Sequence, residues 1–169
     1  MFNKLLSTLA VVLVMTAPAA SAEMNIVVLD PVRAILESDE AKVLAEAANK
    51  EMGPEIEELR VAAEEFQALQ AKLQKDGEVM SESERRKGIK DLEDMQTDLQ
   101  FGQQKLQKQT QDKRQEILQA MAPKYEKVLN DLIQIDQIDL ILSPNQLQYA
   151  NPKHDISRRV TEKLNEASD

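Results

Sequence analysis

Apolar residues change their spacing twice along this chain. Ile26-Val-Val-Leu-Asp30 and Ile138-Asp-Leu-Ile-Leu142 are short and strand-like, whereas from about Ser38 to Ile135 leucines, alanines and methionines recur every three or four residues among Glu, Gln, Lys and Asp. Spacing of three and four marks one face of a helix, and short β-branched runs bounded by turn residues mark strands. The pattern predicts an α+β chain, mostly α. A small β-rich body from residues 23–37 and 136–169 would carry a long antiparallel helical hairpin over residues 38–135. Such a chain extends away from a small sheet rather than enclosing a pocket, which points to holding rather than conversion.

Local signals bound the elements. Asp30-Pro31 stops the first strand, and residues 32–37 have room for one or two helical turns. Ser38 or Asp39 offers an N-cap for the first long helix, which runs to about Lys75, where Asp76-Gly77 breaks it. Ser81 with Glu84 forms a capping-box pattern, so the second helix starts past a tip near residues 76–81 and continues to about Gln134. At about 1.5 Å per residue the two helices would measure on the order of 55 and 80 Å. Strands are expected at Ile138–Leu142 and at Gln146–Ala150, joined by Ser143-Pro144-Asn145, and Asp155 is expected to cap a final helix ending near Glu166.

The seam between the long helices can be read from the periodicity. Leu59, Ala62, Phe66, Leu69 and Leu73 step by three and four, and Leu92, Leu99 and Leu106 recur every seven residues. In an antiparallel pair, facing residues have numbers of constant sum, and the tip sets that sum near 158. Phe66 would then face Leu92, Leu59 would face Leu99, and Met52 would face Leu106. The alternate positions of the second helix, Gln96, Gln103 and Thr110, are polar, so the seam is weakly apolar and should flex. Gly53-Pro54 and Gly102 fall at nearly the same height under that sum, which makes them a candidate hinge.

In the body, Ile26 and Val28 with Ile138, Leu140 and Leu142 occupy alternating positions suited to one buried sheet face. Three short strands and one helix would leave that face poorly covered, and small isolated sheets are marginal. Association of several chains through the body is the physical expectation.

The N-terminus bears on location. Lys4, the apolar run Leu5–Met15 and Ala20-Ser21-Ala22 predict a signal peptide over residues 1–22, removed near Ala22. The chain has no Cys, so neither a disulfide nor a lipidated N-terminal cysteine can form, and a soluble periplasmic protein is expected. Without the signal the chain carries 20 Lys+Arg against 30 Asp+Glu. That excess of acid disfavours nucleic acid as a partner. The acid is uneven: Glu23 to Met80 has 14 acids and 6 bases, whereas Ser81 to Gln137 has 11 and 10. Arg85, Arg86, Lys87 and Lys90 near the tip could make transient contact with an anionic membrane surface, although bases beside Glu82 and Glu84 read first as a solvated helix turn.

Catalytic chemistry finds no support. His154 is the only histidine, no cysteine accompanies it, and Gly53, Gly77, Gly88 and Gly102 are scattered rather than gathered in a phosphate-binding loop. No catalytic, metal or cofactor site is assigned. Met52, Met80 and Met95, together with the seam residues Leu59, Phe66, Leu73, Leu92, Leu99 and Leu106, are instead candidates for facing an apolar client. The competing reading is a structural or adaptor coiled coil with one dedicated partner. Such a partner would want a regular apolar stripe on the outer face, where Glu, Gln, Lys and Asp predominate.

The strand Ile26–Asp30, the long acidic and Gln-rich hairpin, the strand Ile138–Leu142, Tyr149-Ala150 and Asp155-Ile156 together resemble the Skp/OmpH family of periplasmic chaperones over essentially the whole mature chain. The resemblance implies a homotrimer whose β-rich body bears three helical tentacles around a cavity. It also implies ATP-independent retention of unfolded outer-membrane β-barrel proteins. The best-known members of the family are basic, whereas this chain has pI ≈ 4.8. No lipopolysaccharide site is carried over.

Overall fold

The computed structural model describes residues 24–167. The expected signal peptide, residues 1–22, and its cleavage position lie outside the described residues. The elements run β1 (Ile26–Val28), α1 (Pro31–Leu36), α2 (Asp39–Asp76), α3 (Glu82–Asp136), β2 (Leu140–Leu142) and α4 (Ser157–Glu166), with single 3-10 turns at Pro144–Gln146 and Pro152–His154. At about 1.5 Å per residue, α2 and α3 are on the order of 57 and 82 Å long.

Side chains at the helix starts explain where the chain turns. Asp30 accepts from the Arg33 N–H at 3.0 Å and opens α1, with Pro31 at the first helical position. Ser38 Oγ caps α2 by accepting from Ala41 N–H, and Ser81 with Glu84 closes the full capping box of α3. Asp155 accepts from the Ser157 N–H at 2.9 Å, so its carboxylate serves α4 although the helix begins two residues later.

β1 and β2 pair in parallel, Ile26 opposite Leu140, Val27 opposite Ile141 and Val28 opposite Leu142. The expected third strand over Gln146–Ala150 is absent. Pro144 has no backbone donor and a fixed φ, and it starts a 3-10 turn that curls the chain away. A lone bridge from Val28 to Asp155 takes that place beside β1. Ile138 also falls outside the sheet, because Gln137 caps α3 in the left-handed conformation at φ 51° and Ile138 N–H still donates to Ile133 C=O. The single buried face expected of the strands is therefore split. Val27 and Val28 are both buried, Leu142 is half-buried, and the paired Ile26 and Leu140 are exposed.

The body has more core than its strands suggest, because the hairpin supplies it. Leu29, Ala34, Ile35 and Ala41 pack with Ile117, Met121, Val128 and Leu132 of α3 and with Val160 and Leu164 of α4. Burying the Val, Leu, Ile and Met side chains among them stabilises the fold by roughly 1.5–3 kcal/mol each. Residues Ala41–Met52 and Ile117–Leu132, expected as arm, thus contribute buried positions at its root.

Beyond that root the arm is a two-helix seam. Leu73 reaches the space above Gly88 and Leu59 the space above Gly102. Both pairs sum to 161, and ion pairs nearer the body sum to 160 for Glu55–Lys105 and 164 for Glu51–Lys113. The offset from 158 has a physical cause. Helical side chains lean toward their own N-terminus, so each residue covers a spot about one position behind its Cα, and in an antiparallel pair the two leans add to about two. The second seam row of α3 is accordingly Gly88, Met95, Gly102 and Gln109, all buried or half-buried, while Gln96, Gln103 and Thr110 are exposed. The corrected register separates the hinge candidates. Gly102 faces Leu59, six residues past Gly53, and α2 passes through Pro54 as one helix.

Candidate functional site

Nothing gathers for chemistry among the described residues. Among the described residues, no group of three or more His, Cys, Asp and Glu side chains is placed to hold a metal ion, and no helix is long and apolar enough to cross a membrane. His154 ends the 3-10 turn before α4. What the fold offers is surface, in two places.

The first is the arm. Leu59, Phe66, Leu73, Met80, Leu92, Met95, Leu99 and Leu106 are half-buried, and Met52 is buried at the root. These side chains face the seam and keep an edge toward solvent. Midway along, the seam opens into a groove of about 410 Å³, floored by Leu59, Ala62, Leu99 and Leu106, where Gly102 leaves room for no side chain of its own. Phe101 stands at its wall with 68% of its surface exposed. The periodicity in Leu92, Leu99 and Leu106 had pointed to the inner face only. Phe101 lies two places past Leu99, off both seam rows, so helical geometry turns it outward. Ile56, Val61, Val79 and Ile89 are exposed as well, so the outer surface is less uniformly polar than its composition implies.

Charge fixes the arm's alignment more than its strength. Lys105 donates to Glu55 across the seam, and this contact, with a second from Gln109, holds the Glu55 carboxyl below the usual carboxylate range. Lys113 reaches Glu51 at 3.0 Å across the same seam, and Arg60 joins Glu57 and Glu64 along α2. Exposed pairs of this kind are screened by water and salt and contribute little to stability. At the tip, Arg85, Arg86, Lys87 and Lys90 are all exposed, and Arg86 is paired with Glu82 at 3.0 Å.

The second surface is on the body. Met24, Ile26, Leu140, Ile135 and Tyr149 are exposed, with Ile26 and Leu140 side by side in the sheet register. A two-stranded sheet with apolar side chains in solvent is an unfinished layer.

The described residues form a long helical hairpin on a small body with apolar edges on both, a fold that offers contact surface. The chain belongs to the outer membrane protein (OmpH-like) family, whose sequence profile matches residues 25–164. It is 33% identical over 153 residues to the Skp-like protein of Pseudomonas aeruginosa PAO1, covering 90% of this chain and 91% of that one. Its fold matches the crystal structure of an OmpH-like outer membrane chaperone candidate from Caulobacter crescentus CB15, with TM-score 0.54, 16% identity and 92% of each chain covered. The family is of chaperone type and periplasmic, and is not an enzyme family.

Proposed function

We propose that this protein is an ATP-independent periplasmic holdase that binds unfolded outer-membrane β-barrel proteins and keeps them from aggregating before membrane insertion. The observation that carries the reading is the arm itself. A seam of half-buried Leu, Met and Phe side chains runs along two long helices and offers apolar edges over a great length without one closed pocket. Many weak contacts along such a surface retain a client by rapid rebinding, and no tight site is needed. Met80 and Met95, being unbranched and polarizable, suit varied sequences.

Self-association belongs to the same reading. The exposed Ile26–Leu140 pair would be covered by other copies of the chain, in a homotrimer by analogy with the family, so that several arms surround one client. Export with removal of residues 1–22 places the protein with such clients, and the exposed bases at the tip would permit a transient membrane-surface contact.

The test is multi-angle light scattering on the mature chain, alone and after dilution of a urea-unfolded outer-membrane β-barrel protein into it without nucleotide. A trimer mass that shifts to a soluble complex, with aggregation suppressed, supports the holdase. A monomer or dimer that leaves the client to aggregate favours an adaptor coiled coil.

A further inference from the structure

The mid-arm groove has a chemistry of its own. Its floor is apolar, its wall is Phe101, and its rim holds Glu55, Glu58, Asp98 and Lys105. Glu55 and Lys105 neutralise one another across the seam. Glu58 and Asp98 make no direct ion pair or hydrogen bond among the described residues, and although Glu58 adds to the field on Lys105, the rim sets three carboxylates from the two helices against that one base. The streak continues toward the tip. Asp94 lies one turn from Asp98 on the same helix face, and Glu65 lies two turns from Glu58, neither of them ion-paired.

An exposed aromatic between unpaired acids is poorly suited to an acidic chain and well suited to a basic one. An apolar residue of a client would enter beside Phe101 over Leu59 and Leu99, and a Lys or Arg on either side of it would meet Glu58 and Asp98. A guanidinium there could also stack on the exposed Phe101 ring. We infer that the groove bounded by Phe101, Glu58 and Asp98 is a selective subsite for unfolded segments in which one large apolar residue is flanked by Lys or Arg.

This inference rests on the holdase reading and deepens it by naming a client chemistry. The balance differs from that at the tip, where Arg85, Arg86, Lys87 and Lys90 place bases close together. Within one arm, the middle is therefore acidic, whereas at the tip these bases are nearly balanced by Asp76, Glu78, Glu82 and Glu84.

The experiment uses the mature full-length chain and three fluorescein-labelled twelve-residue peptides that differ only at the centre: Arg-Phe-Lys, Glu-Phe-Asp and Arg-Ser-Lys. Anisotropy at low salt should show the first binding at least tenfold more tightly than the other two. Each exposed carboxylate opposite a base is worth about threefold to fivefold. Glu58→Gln with Asp98→Asn should therefore cost about tenfold for the first peptide, and the difference should shrink as salt shortens the screening length from about 10 Å at 0.1 M to about 3 Å at 1 M. Phe101→Ala should weaken the same peptide by a factor that salt does not change.

Equal affinity for the basic and acidic peptides, or wild-type binding by the double variant, overturns the inference. So does a change in self-association mass on Phe101→Ala, which would make the groove a contact between copies. Suppression of β-barrel aggregation is measured in parallel on the same samples. If it persists while peptide selectivity is missing, the subsite fails and the holdase stands; if both are missing, the holdase reading fails with it.

Discussion

Alanine at Gly88 should destabilise the hairpin, whereas alanine at Gly53 should change its stability little. Both glycines lie inside helices, where replacing Gly with Ala gains about 0.8–1.0 kcal/mol of intrinsic helix propensity. At Gly53 an added Cβ meets nothing within 4 Å apart from its chain neighbours, but Pro54 follows directly and its Cδ crowds a Cβ on the helical residue before it, so much of the gain should be lost. At Gly88 it would fall 2.7 Å from Leu73 Cδ2, 3.2 Å from Cδ1 and 3.3 Å from Cγ. A clash with the tip of a side chain is relieved by rotation, but one that includes Cγ requires the whole leucine or the helix to move. Overpacking of this kind costs about 1–3 kcal/mol. Net of propensity, Gly88→Ala should destabilise by up to about 2 kcal/mol, whereas Gly53→Ala should shift stability by less than about 1 kcal/mol in either direction. Urea unfolding followed at 222 nm reads mainly α2 and α3, and it should be run at one protein concentration because association shifts apparent stability. With a slope of about 1.5 kcal/mol per molar, the Gly53 variant should shift the midpoint by less than about 0.7 M and the Gly88 variant should lower it by up to about 1.3 M. A raised midpoint for the Gly88 variant would refute the register that sets Leu73 over Gly88.

Leu164→Ala, at a position in α4 with 0% exposure inside the core cluster, should cost about 2–5 kcal/mol, and a loss below about 1 kcal/mol in the same urea assay would mean that α4 does not close the core. Asp155 provides a pH dependence: burial by itself would raise its carboxyl, but the bonds from Ser157 and Arg33 outweigh it and hold the carboxyl below its ordinary value. A depressed folded value means stability that is present above the unfolded value of about 3.9 and lost as pH falls through the lower folded one. Acid titration of the unfolding midpoint should show that loss in wild type and a smaller one in Asp155→Asn.

What could be read from the chain depended on how local the cause was. Ser38, Ser81 with Glu84, and Asp76-Gly77 mark helix ends through bonds within three or four residues, and those ends fall where they were expected. The strand expected at Gln146–Ala150 fails because Pro144 overrides the propensity of the residues after it. The seam sum of 161 exceeds the expected 158 by three, of which about two come from the lean of side chains along a helix, which counting from the tip ignores. The polar row at Gln96, Gln103 and Thr110 was off by one because seven-residue spacing allows both a three-four and a four-three alternation beside Leu92, Leu99 and Leu106. Gly88 and Gly102 decide between them, since only glycine lets Leu73 and Leu59 approach so closely. Phe101 can be read as outward from its own helix, two places past Leu99, but the groove beside it depends on Gly102 meeting Leu59 across the seam, which periodicity alone does not show.

The two ends of the molecule divide the physical work. Cohesion sits at the root, where buried side chains from α1, α3 and α4 meet and the last buried aliphatic of α2 is Met52. Past Met52 and before Ile117, Gly88 is the sole buried position among the described residues, and every other one keeps at least part of its surface in water. An element with few buried contacts opens and bends at low free-energy cost. That is a poor property for an active site, which needs groups held within a fraction of an ångström. It is a good one for a surface that must fit many unfolded chains, because each client selects its own arrangement of side chains while the root stays intact. The glycine holes limit that freedom without abolishing it: Leu73 over Gly88 and Leu59 over Gly102 keep the helices in one register, fourteen residues apart on each, and leave Phe66 and Met95 between them to adjust.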